Sequence, residues 1–189
     1  MLYLCKEGSA DEVAIPARTS VFFMNIVNSD QVVDILKIDV PGFKTLSVEN
    51  AVLDMNGTIA VDGVVSEAVK QRLVKLAEIF TVYVLTADTQ GTAARELEGL
   101  PVVLRIFSQN DSAKSKLRIV EELEGGCVCV GNGRNDCLMF KAAQLSIAVL
   151  DTEGAYAPLL AAADLLVRSG EDALDLIMDK KRLVSGLRG

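Results

Sequence analysis

Two short stretches carry residue types that could do chemistry on phosphorus. In Val52-Leu53-Asp54-Met55-Asn56-Gly57-Thr58-Ile59 an apolar run delivers a carboxylate to a glycine turn. In Gly131-Asn132-Gly133-Arg134-Asn135-Asp136 a second apolar run, Cys127 to Val130, opens on glycine and brings another carboxylate. An aspartate where a buried strand ends lies at the sheet edge where α/β proteins place their chemistry. With Gly57-Thr58 behind it, Asp54 can act there as a nucleophile toward phosphorus and as a ligand for a hard cation. Each stretch also holds an asparagine, Asn56 and Asn132, where a site of this kind is usually served by a second aspartate.

The elements that must position these residues alternate between strand and helix. Ile35 to Val40 and Thr45 to Val48 read as two strands joined across Pro41-Gly42, a predicted hairpin. Asn50 to Leu53 is a core strand ending at Asp54. Ser66 to Phe80 has helical spacing, with Val69, Leu73, Leu76 and Ile79 on one face and Ser66 as N-cap. Thr81 to Leu85 is a β-branched strand ending at Thr86, Thr89 to Leu97 a short helix, and Val102 to Phe107 a strand. Further strands are expected at Cys127–Val130, Leu145–Val149 and Leu165–Val167, with helices at Ser115–Leu123, Asn135–Ala143, Tyr156–Ala162 and Ala173–Leu183. Such alternation predicts an α/β fold with a doubly wound, mostly parallel sheet. The domain is expected over residues 35–189. Residues 1–34 show scattered charge and little periodicity, and read as an extension or a flexible segment.

Composition narrows the function. At 189 residues, half of them hydrophobic and 24% charged, the chain suits one soluble domain with a full core. A net charge of −7 without a basic run argues against nucleic acid as a partner. No apolar stretch is long enough to span a bilayer, and the acidic start does not resemble a signal peptide. Four cysteines are too few and too unevenly placed for a disulfide framework. Cys127 and Cys129 share one side of a strand; they could bind metal or form a redox pair, but buried thiols of a reduced, cytoplasmic protein are the expectation. The absence of histidine removes histidine bases, serine–histidine triads and histidine metal sites together.

Four stretches in order, Asp54-Met55-Asn56-Gly57-Thr58, Val84-Leu85-Thr86-Ala87-Asp88, Lys116-Leu117-Arg118-Ile119-Val120 and Gly131-Asn132-Gly133-Arg134-Asn135-Asp136, resemble the motifs of the haloacid dehalogenase superfamily. Within it, the chain looks most like small soluble proteins related to the phosphorylation domain of P-type ATPases. The resemblance implies a Rossmann-like sheet and an aspartyl phosphate formed on Asp54. It implies Thr86 as a hydrogen-bond donor to a phosphoryl oxygen, and Lys116 as the cation that neutralises the transferring group. Lys114 is the competing lysine. Gly57, Thr58, Ala87 and Asn135 would complete the phosphate pocket. Mg2+ would be held by Asp54, Asn56 through its carbonyl, Asn132 and Asp136. Asp62 and Asp88 are expected to be solvated loop carboxylates.

Two departures shape the expected activity. Position 56 is where the family's phosphatases place the aspartate that protonates the leaving group and activates water. An asparagine can orient a group but cannot transfer a proton, so hydrolysis should be slow. Asn132 offers an amide oxygen in place of a carboxylate, with less charge for the cation. The intervals of 28 residues from Thr58 to Thr86 and 30 from Thr86 to Lys116 leave no room for a cap domain. An open site fits a phosphorylated macromolecule or a poorly selective phosphatase, unless a homo-oligomer covers it. The expectation is a Mg2+-dependent phosphatase acting through Asp54. The alternative is a regulatory phosphate-binding or phospho-acceptor domain with little turnover.

Overall fold

Apolar runs become strands, and stripes of helical period cover them. A computed structural model describes residues 36–88 and 91–189; the expected extension over 1–34 lies outside the described residues. The strands are β1 (Leu36–Asp39), β2 (Thr45–Val48), β3 (Asn50–Asp54), β4 (Thr81–Thr86), β5 (Val103–Ile106), β6 (Cys127–Gly131), β7 (Leu145–Val149) and β8 (Leu165–Val167). The helices are α1 (Glu67–Leu76), α2 (Ala93–Glu96), α3 (Ser112–Glu122), α4 (Cys137–Ala142), α5 (Ala157–Leu160), α6 (Gly170–Met178) and α7 (Lys180–Leu187). Strands β3 to β8 form a parallel six-stranded sheet in the order β5-β4-β3-β6-β7-β8. The predicted hairpin is present as a separate antiparallel pair, β1 with β2. Strands β4 and β5 lie on one side of β3 and β6, β7 and β8 on the other, so the carboxyl end of β3 is at the topological switch point of the sheet.

Alternation along the strands sends side chains into two cores, one on each face. Ala51 and Leu53 of β3 and Val128 and Val130 of β6 pack with Val69, Leu73 and Leu76 of α1, with Leu174 and Ile177 of α6, and with the hairpin's Leu46 and Val48. Val52, Cys127 and Cys129 face the other way, toward Val120 of α3, Met139 and Phe140 of α4, and Leu159 of α5. Burying each such side chain is worth about 1.5–3 kcal/mol against leaving it in water. The two thiols lie 3.8 Å apart, free and buried, which fits the expectation of core residues.

Most helix ends shift by a few residues from the reading, and two differences have a clear local cause or consequence. Helix α1 starts as expected, with Ser66 Oγ accepting from the Val69 N–H at 3.2 Å, but ends ten residues later at Leu76. The run expected as one helix to Leu183 is two. Asp179 breaks it and accepts from the N–H groups of Lys181 and Arg182, so its carboxylate caps α7 instead of lying on a continuous helix face. The connections between β3 and α3 carry helices and strands of the sheet itself, with no inserted domain among the described residues. No helix among them is long and apolar enough to cross a membrane.

Candidate active site

Three neighbouring strands end together at the switch point. Asp54 is the last residue of β3, Thr86 of β4 and Gly131 of β6. Helix α3 brings Lys116 beneath them, fully buried, while Lys114 is 72% exposed and pairs with Asp111 at 3.0 Å. The Lys116 ammonium bridges two carboxylates: it donates to Asp54 Oδ1, and to Asp136 Oδ1 at 2.6 Å. Asp136 ends a single 3-10 turn, Arg134–Asp136, and its Oδ2 accepts from the N–H groups of Asn132 at 3.0 Å and Gly133 at 2.8 Å. Both its oxygens are therefore committed inside the protein, and its side chain is wholly buried. Asp136, expected among the metal ligands, is fixed at this edge by its contacts to Lys116 and the loop. Of the three buried charges, Asp54 alone keeps part of its side chain, 11%, exposed.

The loop after β3 folds over Asp54. Gly57 turns at φ 72°, where a side chain would be strained, and a Cβ there would run into the Asn132 amide. Thr58 Oγ1 lies 3.3 Å from both Asp54 Oδ2 and Asn132 Oδ1. Asn132 donates from Nδ2 to the Gly154 carbonyl at 3.0 Å, which leaves its Oδ1 toward Thr58. Asn56 is half-buried, and neither its side chain nor its main-chain carbonyl has a hydrogen-bond partner among the described residues. Thr86 Oγ1 accepts from the Asp88 N–H at 3.0 Å, which leaves its own proton free to donate outward. Ala87 lies in the loop after β4 and Asn135 in the 3-10 turn after β6, at the same edge, without a hydrogen bond to the buried charges.

Asp88 is less solvated than expected. Its carboxylate accepts from the N–H groups of Thr92 and Ala93 and so starts α2, with its own backbone at φ 43°. Asp62 is exposed, as expected, but it forms part of a feature the reading missed. Val61 and Val64 exchange backbone hydrogen bonds across Asp62-Gly63, both at positive φ, making a small flap. Asp-Gly between valines is the usual signal for such a turn, and it was legible. Glu153 ties the flap down by accepting from the Asp62 N–H at 2.8 Å. The loop after β7 thus holds both the flap and, through Gly154, the Asn132 amide.

Electrostatics set the charge state of the nucleophile candidate. Burial raises the Asp54 carboxyl from 3.8 to about 6; Lys116 opposes the rise and Asp136 adds to it. For Lys116, burial favours the neutral form, but the two carboxylates outweigh it and hold the ammonium above its ordinary range. A folded value above the unfolded one means that the native state binds the extra proton between pH 3.8 and about 6. The Asp54 contribution to stability is thus fully present below that window and is lost as pH rises through it. Urea melts of cation-free protein should show the stability difference, wild type minus Asp54→Asn, declining across that window. A difference independent of pH would contradict the raised value.

The fold is that of the haloacid dehalogenase hydrolases. The cobalt-bound deoxy-D-mannose-octulosonate 8-phosphate phosphatase of Haemophilus influenzae superposes with a TM-score of 0.57 at 16% identity, over 74% of this chain and 90% of that one. The 3-deoxy-D-manno-octulosonate 8-phosphate phosphatase of Moraxella catarrhalis, solved with magnesium, phosphate and its sugar acid, gives 0.54 at 14%, over 70% and 87%. Identities this low carry the fold and not the substrate. No family model matches the sequence. By sequence, the chain belongs to one family with two proteins of Methanocaldococcus jannaschii: uncharacterized protein MJ0073, 39% identical over 74 residues, and uncharacterized protein MJ0072, 57% identical over 37. Those matches span 36% and 20% of this chain, and 80% and 84% of the two relatives.

Proposed function

We propose that this chain is a capless, Mg2+-dependent phosphohydrolase that works through an aspartyl phosphate on Asp54 and turns over slowly. The observation that carries this reading is the buried Lys116 bridging Asp54 and Asp136 at the switch point, with Asp54 alone reaching the open edge. In the first step a carboxylate oxygen of Asp54 bonds to phosphorus as the bond from phosphorus to the leaving oxygen breaks. Lys116 sets positive charge against the phosphoryl oxygens, and Thr86 and Thr58 donate hydroxyl protons to them. In the second step water attacks the same phosphorus, freeing inorganic phosphate and the Asp54 carboxylate. Asn56 supplies a proton to neither step.

Asp54 Oδ2 and Asn132 Oδ1 both lie 3.3 Å from Thr58 Oγ1, and these hard oxygens, with the Asn56 carbonyl of the same loop, would hold the cation. This set fits Mg2+, which takes few protein ligands and keeps several waters. Bound there, the cation would supply charge neutralisation to the phosphoryl group. Asp136 would act one shell out, by holding Lys116 and the Asn132 backbone. The substrate is a phosphorylated small molecule or macromolecule, and a second copy of the chain is a candidate cover for the open edge.

Hydrolysis of an aryl phosphate with Mg2+ tests the reading. Wild type should turn over slowly and Asp54→Asn should lose all of it; equal rates in the two would end the proposal. Asn56 favours a second reading, a phospho-acceptor that forms the aspartyl phosphate and holds it. That protein would show a mass gain at Asp54 without sustained turnover.

A further inference from the structure

We propose that Arg134 is a specificity-determining residue, selecting phosphate esters whose leaving portion carries a second anionic group, a carboxylate or a further phosphorus oxyanion. The inference rests on the phosphohydrolase reading and names the substrate class of that site. Arg134 opens the 3-10 turn that follows β6. Two residues of chain span at most about 7 Å, so its backbone stays close to that of Asn132. Asn132 Oδ1 in turn lies 3.3 Å from Thr58 Oγ1, which is 3.3 Å from Asp54 Oδ2. The turn is fixed from both ends. Asp136 Oδ2 accepts from the N–H groups of Asn132 and Gly133, and the Cys137 N–H donates to the Arg134 carbonyl. With about three residues per turn, successive side chains of such a turn leave in different directions. Asp136 takes the inward one, to Lys116, while Arg134 is exposed.

The charge around it makes Arg134 unusual. The carboxyl edge of the sheet is acidic, with Asp62, Asp88, Asp111, Asp151 and Glu153 in the segments that follow its strands. Its other exposed cations have carboxylates beside them: Lys114 has Asp111 at 3.0 Å, and Arg168 has Asp172 at 3.6 Å. Arg134 has neither an ion pair nor a side-chain hydrogen bond among the described residues. In a chain with 26 carboxylates to 19 cations, a cation is more easily paired than left open. A guanidinium offers a planar fork of donors that takes a carboxylate or a phosphorus oxyanion through two bonds. The transferring phosphoryl group already meets its cation, Lys116, from inside the protein. The outer cation is therefore left for the portion of the ester that departs, at an edge whose acidic side chains otherwise repel anions.

The test compares three aryl phosphates on the full chain with Mg2+. The para-carbamoylphenyl ester is the neutral reference, the para-carboxyphenyl ester its charged isostere, and the para-phosphonophenyl ester carries a phosphorus oxyanion that is not hydrolysed. Wild type should prefer a charged ester over the reference by about tenfold in kcat/KM, chiefly through KM, and added salt should reduce the preference. Whichever charged ester shows the larger ratio identifies the group selected. Arg134→Gln should bring that ratio close to unity, and Arg134→Lys, which keeps the charge without the fork, should retain part of it. Hydrolysis through Asp54 with no preference in wild type would overturn the inference and leave the functional reading standing. A preference that survives in Arg134→Gln would overturn it too, as would a loss in that variant shared equally by all three esters. If no ester turned over, the inference and the functional reading would fall together. The wild-type ratio and its salt response can sink the idea even if neither variant folds.

Discussion

Lys116→Met should cost the fold about 3–5 kcal/mol at neutral pH, although it keeps the volume of the side chain and removes a charge. The lysine is completely buried and its ammonium is the shared partner of Asp54 and Asp136. Without it, two carboxylates face each other across a site that excludes most water. Removing one member of a buried charged cluster is costly because of what stays behind. The deficit should therefore shrink on acidification, as the stranded Asp54 carboxyl takes up its proton. It should also shrink in the double variant Asp54→Asn/Lys116→Met, which removes one of the repelling charges. Urea denaturation of the four proteins in the cycle measures the coupling directly. A Lys116→Met protein as stable as wild type at neutral pH would show that the bridge contributes nothing.

Asn56→Asp should raise hydrolysis by about a hundred- to ten-thousand-fold, equivalent to about 3–5 kcal/mol of barrier. The Asn56 side chain has no hydrogen-bond partner among the described residues, so the isosteric aspartate breaks nothing. What it adds is a proton for the departing oxygen and a base for the attacking water. The gain should depend on the leaving group. An aryl phosphate whose phenol is acidic departs unaided and should profit mainly in the second step. An alkyl phosphate needs the proton and should profit in both. Rates across a series of leaving groups should thus fall steeply in wild type and gently in Asn56→Asp. Parallel slopes would mean that position 56 does not serve the leaving group.

Much of this arrangement was legible in the sequence, for identifiable physical reasons. Asp54 announces itself because an uninterrupted apolar run has to be a buried strand and a glycine turn has to end it. Thr86 and Gly131 follow by the same logic, and parallel pairing then fixes all three at one edge. Lys116 is different. Nothing local separates it from Lys114, since helical lysines ordinarily face water, and the motif alone favoured it. Asp136 was legible as a site residue but not in its contacts, because only the three-dimensional turn shows both oxygens spent. The loop after β7 escaped the reading altogether: Gly154 acts through its main-chain carbonyl, which no side-chain pattern reveals. The break at Asp179 was missed because the apolar period runs through it, while the capping bonds that win are local to the backbone.

The glycine that follows each of the two site asparagines bears on how the protein ages. Asparagine before glycine is the sequence most open to deamidation, in which the next backbone nitrogen attacks the side-chain amide and a succinimide forms. Here both attacking nitrogens are occupied: the Gly57 N–H donates to the Ala60 carbonyl at 2.8 Å, and the Gly133 N–H to Asp136 Oδ2 at 2.8 Å. The Asn132 amide is held besides by Gly154. The folded site thus guards its amides against conversion to the very carboxylates that would alter its proton chemistry and its charge. Both asparagines should therefore persist in the folded chain, and an unfolded or nicked population is where they would be lost.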